Sequence, residues 1–185
     1  GFTSDFTIYD TQDSQSAIKS IIKEMQLDDK IYKASEIASI ISQAKNDLIT
    51  PSAYENNSNY IARDRAKRQN YNSEIYARYV RLCKSANAMD FDDLLMYTNV
   101  LFRDNPQILE KYQDKFKYVL VDEYQDTNDS QYIIVKKLCA KTHNICVVGD
   151  DAQSIYSFRG ARIENILNFR KDYPDYQLFK LEQNY

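Results

Sequence analysis

The sequence predicts an α/β protein, a mostly helical region followed by a short parallel sheet, and three observations carry that prediction. Apolar residues recur at helical spacing through most of the first 115 residues. Two short apolar runs, residues 119–121 and 145–148, stand about two dozen residues apart, far enough for one crossover helix between neighbouring parallel strands. Only 3 Gly and 3 Pro occur in 185 residues, which suits a helix-rich body with few tight turns. A hydrophobic content of 43% supplies a core, and the length accommodates one ordinary domain or two small ones, placed here at residues 1–115 and 116–185.

Taken in order, Phe2, Phe6 and Ile8 alternate and predict a short extended stretch. After polar residues 10–13, Ile18, Ile21, Ile22 and Met25 predict an amphipathic helix, and Ile37, Ile40, Ile41, Ala44 and Leu48 predict a second. Thr50-Pro51 sets a capping hydroxyl before a proline at the first helical position, so a short helix is expected from Pro51 to about residues 56–59. Nothing in residues 60–87 breaks a helix, and Tyr71, Ile75, Tyr79 and Leu82 form a stripe, so the longest helix is expected there. Asp90 caps the next helix, with Asp93 in its first turn, and this leaves Phe91 at a helix start. Asn105-Pro106 opens another helix running to about Phe116.

The crossover helix is expected over residues 128–141, with Tyr132, Val135, Leu138 and Cys139 toward the sheet. A further helix over residues 163–172 stops before Pro174, and residues 176–181 predict a third strand.

No apolar stretch approaches the roughly 20 residues of a membrane helix, and no signal-peptide pattern opens the chain, so a cytoplasmic protein is expected with no membrane partner. Cys83, Cys139 and Cys146 are odd in number and widely spaced, which predicts buried thiols rather than disulfides or metal ligands. The single histidine, His143, excludes a His-based zinc site. A net charge of −3 is not that of a typical nucleic-acid domain, yet residues 59–84 hold seven basic side chains against two acidic ones. That face is either an ordinary solvated surface or a contact for duplex phosphates.

Residues 118–128 read YVLVDEYQDTN, an apolar run ending in two carboxylates. At the C-terminal end of a buried parallel strand, Asp122 and Glu123 would project into the crevice where open α/β sheets bind ligands. In a nucleoside-triphosphate motor the first carboxylate holds Mg²⁺ through water and the second takes a proton from the attacking water. A solvated strand end is the plain alternative. After the second run comes GDDAQSIYSFRGA, residues 149–161, where the Gln153 amide suits a phosphate contact and Tyr156, Phe158 and Arg159 suit bases and phosphate.

DEYQDTN and GDDAQSIYSFRGA resemble motifs II and III of the UvrD/Rep/PcrA-type superfamily 1 DNA helicases, and the closing LEQNY resembles the start of their motif IV. DFDDLL, residues 90–95, is similar to a DNA-contacting element of that family. The resemblance implies a helical insertion subdomain followed by part of a P-loop NTPase, RecA-like core, with ATP and Mg²⁺ as cofactors and single-stranded DNA and a duplex junction as partners. It implies Asp122 as the Mg²⁺ ligand through water, Glu123 as general base, Gln153 as the γ-phosphate sensor and Tyr185 against the adenine. It makes Phe91 a base-stacking face and places Arg63, Arg65, Lys67 and Arg68 beside incoming duplex. Ala152 and Phe158 depart from the pattern, which there favours aspartate and tryptophan.

No G-x-x-x-x-G-K-[ST] phosphate loop occurs in the 185 residues, so the chain is expected to be a portion of a longer protein and inactive alone; the resemblance implies that the longer protein is a helicase moving 3′ to 5′. A helicase-nuclease fusion, with Asp122, Glu123 and Asp126 as alternative metal ligands, and a non-catalytic DNA-binding module are the competing expectations. In the family the strand feeding the phosphate loop lies between the motif III strand and the strand leading to motif IV. Without it, residues 176–181 are expected either to close against residues 145–148 or to leave an edge that a dimer contact buries.

Overall fold

The computed structural model describes residues 2–150 and 163–180. The chain divides between Pro106 and Gln107 into two compact units. The first holds β1 (Thr7–Tyr9), α1 (Thr11–Glu24), α2 (Ala34–Asn46), α3 (Pro51–Tyr54), α4 (Ser58–Ala66), α5 (Asn72–Ser85), β2 (Ala88–Asp90) and α6 (Phe91–Asp104). Its core joins Ile18, Ile21 and Ile22 of α1, Ile37, Ile40, Ile41 and Ala44 of α2, and Ile75, Tyr76, Tyr79 and Cys83 of α5. Tyrosines enter this core because each finds an acceptor for its hydroxyl. Tyr54 donates to Asp64 Oδ2 at 2.9 Å, Tyr60 to Asp47 Oδ2 at 2.8 Å and Tyr76 to the Ile49 carbonyl at 3.0 Å.

Capping fixes where these helices begin. The Asp10 and Asp90 carboxylates each accept the N–H of the third helical residue in a reciprocal capping box, and Thr50 Oγ1 accepts from the Ala53 N–H ahead of Pro51. β1 runs parallel to β2 in the register Thr7↔Ala88, Ile8↔Met89 and Tyr9↔Asp90, a pairing of three residues too short to read from the sequence.

The long helix expected over residues 60–87 is two helices. α4 closes with Arg68 at φ 58, the Gln69 N–H reaching back to the Asp64 carbonyl at 2.8 Å and the Arg68 N–H to Arg65 at 3.1 Å. This six-to-one closure is the usual helix ending, normally built on glycine. Tertiary bonds impose it here: buried Gln69 donates to the Ile31 carbonyl at 2.8 Å, and buried Asn72 donates to Asp64 Oδ1 at 2.9 Å. Gln26 and Leu48 also take positive φ beyond α1 and α2, so Leu48 leaves the helix its apolar spacing suggested.

The second unit holds α7 (Pro106–Lys115), β3 (Val119–Val121), a 3-10 turn over Tyr124–Asp126, α8 (Asp129–Cys139), β4 (Ile145–Val147) and α9 (Ile163–Asp172). β3 and β4 pair in parallel, Val119↔Ile145, Leu120↔Cys146 and Val121↔Val147. α8 packs against β3 and buries Cys139, and α9 packs against the 3-10 turn, where Phe169 meets Tyr124 edge-on at 5.9 Å.

Two sequence expectations are corrected in this unit. Among the described residues α8 covers one face of the sheet, and alternation leaves Tyr118, Leu120, Cys146 and Val148 exposed on the other, with Leu120 at 76%, so the Cys146 thiol is not buried. Residues 176–180 form no strand, and among the described residues the sheet consists of β3 and β4, so that segment does not close against β4; Leu181 lies outside the described residues. A strand needs a partner for its backbone groups, and among the described residues no strand pairs with residues 176–180.

Candidate functional site

Backbone pairing continues past the ends of β3 and β4. The Val148 N–H donates to the Val121 carbonyl at 2.8 Å and the Tyr124 N–H to the Val148 carbonyl at 2.9 Å, which brings Asp122 and Glu123 beside Gly149 and Asp150. Both carboxylates are exposed. Glu123 has φ 50 and ψ 43, a left-handed conformation that costs about 1–2 kcal/mol for a residue with a Cβ. Its N–H is taken by Asp122 Oδ1 at 2.9 Å. The turn that follows is closed by the Thr127 hydroxyl donating to the Tyr124 carbonyl at 2.8 Å, and Asn128 caps α8 in a reciprocal box with Gln131.

Gln125 is 1% exposed and joins the two strand ends. Its Nε2 donates to Glu123 Oε2 at 2.6 Å, and its Oε1 accepts the Asp150 N–H at 3.1 Å. Sequence reasoning passed over this residue; an amide two positions beyond a candidate base, inside a turn, was the available signal.

A second cluster surrounds Phe91, whose ring is 63% exposed at the first position of α6. Lys45 of α2 is fully buried and pairs with Asp90 Oδ2 at 2.6 Å and Asp93 Oδ1 at 2.8 Å. Burial alone would lower its pKa, but the two carboxylates outweigh it and hold the ammonium charged, above the usual lysine value. Tyr79 donates to Asp90 Oδ2 at 2.9 Å and approaches Ser14 Oγ at 3.0 Å. Next to Lys45, the Asn46 amide donates to Asp92 Oδ1 at 3.1 Å. A cavity of about 290 Å³ opens beside this cluster, lined by Tyr9, Asp10, Ser14, Ser42, Phe91 and Asp92 among others.

Residues 1–174 match the family model described as the UvrD/REP helicase N-terminal domain. The chain belongs to this family. It is 44% identical over 185 residues to the ATP-dependent DNA helicase PcrA of Leuconostoc citreum and 45% identical over 185 residues to that of Bacillus subtilis (strain 168). It is 44% identical over 189 aligned residues to the PcrA of Staphylococcus aureus (strain Mu50 / ATCC 700699). Each match covers 100% of this chain and 24% of the relative, so the chain spans about a quarter of the length of these proteins.

Within this UvrD/REP family chain the sequence-predicted residues belong to different elements. Asp122 and Glu123 share the end of β3, while Phe91 stands at the start of α6. Arg65, Lys67 and Arg68 are exposed on or just after α4, and Lys67 reaches Glu36 at 2.6 Å. Arg63 is turned partly inward: its Nη2 donates to the Tyr54 hydroxyl at 2.8 Å, and its guanidinium lies 4.6 Å from the Tyr60 ring centroid. Gln153, Tyr156, Phe158, Arg159 and Tyr185 lie outside the described residues.

Among the described residues no group of three or more His, Cys, Asp or Glu side chains could hold a metal ion, so Asp122, Glu123 and Asp126 do not assemble the nuclease-type site. Asp126 instead turns Oδ1 into the interior, where it has no hydrogen-bond partner. One exposed hard carboxylate, Asp122, fixed by the Glu123 N–H, does fit Mg²⁺ held mainly through water. No described helix is long and apolar enough to cross a membrane.

Proposed function

We propose that this chain is part of an ATP-dependent DNA helicase that couples ATP hydrolysis to movement along single-stranded DNA and to opening of a duplex junction. The supporting observation is the parallel β3–β4 pair, which delivers two adjacent carboxylates to a strand end bonded to the residues that lead into Gln153. Family membership and the PcrA relatives supply the reaction class, and the 3′ to 5′ direction rests on the family resemblance. Residues 1–115 serve as the helical insertion and residues 116–185 as part of the RecA-like core.

In this proposal Asp122 holds Mg²⁺ through water and Glu123 takes the proton of the attacking water. Mg²⁺, when bound, neutralises charge developing on the β- and γ-phosphates. Gln153 contacts the γ-phosphate and Tyr185 the adenine. Phe91, Tyr156 and Phe158 stack on bases, Arg159 contacts phosphate, and Arg65, Lys67 and Arg68 face duplex phosphates with Arg63 supporting them from within. The 185 residues contain no phosphate loop of the G-x-x-x-x-G-K-[ST] type, so the isolated chain does not turn over ATP; its uncovered sheet face makes it self-associate instead.

Glu123→Gln in the whole protein tests the assignment. DNA-stimulated ATPase is expected to fall by ~10²-fold or more; a rate near that of the wild type would remove Glu123 from the chemistry.

A further inference from the structure

Lys45 and Asn46, consecutive on α2, bind all three carboxylates around Phe91. Lys45 Nζ takes Asp90 at 2.6 Å and Asp93 at 2.8 Å, and Asn46 Nδ2 takes Asp92 at 3.1 Å. Asp90 and Asp93 are also the two halves of the capping box that starts α6. Asp90 Oδ1 accepts the Asp93 N–H at 2.8 Å, and Asp93 Oδ2 accepts the Asp90 N–H at 3.2 Å. Each carboxylate thus uses one oxygen for the helix start and the other for the buried ammonium, and Tyr79 adds a second donor to Asp90. Of residues 90–93, the three acids are drawn inward and the apolar ring alone is 63% exposed.

We infer that Lys45 is the positioning residue for Phe91, holding the first turn of α6 so that the ring stands ready for a nucleobase before DNA arrives. Without the cation, three carboxylates within four residues repel one another in a partly buried site and the capping box loses its anchor. A ring on a frayed turn must then be ordered by the DNA itself, which weakens stacking without removing any DNA contact. This inference rests on Phe91 as a DNA-stacking residue, and the experiment separates the two.

The whole protein is titrated with single-stranded oligonucleotides carrying 2-aminopurine, whose fluorescence is quenched by stacking, alongside thermal melts. Phe91→Ala is expected to weaken binding roughly fivefold to a hundredfold and to relieve quenching. If it changes neither, the stacking role of Phe91 fails, whatever Lys45 does. The charge-balanced pair Lys45→Met with Asp93→Asn removes the cation and one of its two carboxylates, and leaves Asp90 the Tyr79 hydroxyl as donor. It is expected to melt close to wild type yet bind roughly twofold to tenfold more weakly, with reduced quenching. Wild-type quenching in the folded double variant, against a clear Phe91→Ala effect, overturns the inference. Hydrogen exchange on the unmodified protein without DNA needs no variant to fold. The Asp93 N–H is expected to be as protected as the amides of α2, and exchange at the rate of an open chain overturns the inference equally.

Discussion

The Gln125 side chain lies between Glu123 Oε2, at 2.6 Å from its Nε2, and the backbone N–H of Asp150, at 3.1 Å from its Oε1. The orientation of the amide is forced, because an ionised carboxylate only accepts and a backbone N–H only donates. One buried side chain therefore fixes the carboxylate proposed as general base and ties it to the segment leading into residues 151–161. Replacing it with leucine keeps much of the volume and removes both bonds. Gln125→Leu in the whole protein is expected to lower the kcat of DNA-stimulated ATPase about tenfold or more, with KM for ATP little changed, as for other groups that orient a reacting ligand. An unchanged kcat in a variant that melts normally would mean that Glu123 needs no such support.

Helix endings offer a stability test. With 3 Gly in the chain, α1 ends on Gln26 at φ 54, the Gln26 N–H bonded to the Lys23 carbonyl and the Leu27 N–H to the Ile22 carbonyl. Glycine has no Cβ to clash there, though it also gives the unfolded chain more freedom. Gln26→Gly is expected to stabilise by roughly 0.5–1 kcal/mol, while Gln26→Ala, which keeps the Cβ, gains nothing. Equal melting temperatures for the two variants would show that the conformation carries no such strain.

Local chemistry with a short reach was legible in the sequence. The capping aspartates at 10 and 90 and the Thr50-Pro51 start are specified within a few residues, the β3–β4 pair by two apolar runs one crossover helix apart, and they stand where expected. What escaped depends on distant partners. The break after α4 is held by Gln69 on Ile31 and Asn72 on Asp64, and neither bond has a signature in residues 60–87. Lys45 drew no reading from the sequence, although it stands four residues beyond Ile41, on the edge of the apolar stripe of α2, which is the place for a lysine that points inward. Burial of the two strands was overestimated because an apolar run shows what a strand tolerates, while coverage depends on what packs beside it.

A pH test follows from Asp92. Burial holds its carboxyl above the ordinary aspartate range, the Ser42 hydrogen bond opposes this, and Asp90 adds to it. A raised carboxyl binds its proton more tightly in the folded state, so its contribution favours folding at low pH and is lost as the pH rises through the folded value. At neutral pH the charged form is then a net cost, which an amide avoids while still accepting from Asn46. Asp92→Asn is expected to melt above wild type at pH 7 and to converge with it as the pH falls through the raised folded value toward the ordinary carboxylate range. A constant difference across that range would mean that Asp92 does not titrate with folding.

The last expectation concerns the uncovered face of the β3–β4 pair. Tyr118 is 74% and Leu120 is 76% exposed, with Val148 at 52%, and alternation puts all three on the side of the sheet away from α8. A contiguous apolar patch of this kind favours association, and since among the described residues β3 and β4 pair only with each other, their outer edges add a template for a second chain. A separate copy of the same chain presents the same patch, so a two-fold contact between copies buries both at once. The isolated 185-residue chain is therefore expected to show concentration-dependent dimerisation by sedimentation, and Leu120→Lys to restore the monomer without lowering stability by more than about 0.5 kcal/mol, as for an exposed site. A wild-type chain that stays monomeric at high concentration would show that the patch is too small to drive assembly, and dimers that persist in Leu120→Lys would place the contact elsewhere on the surface.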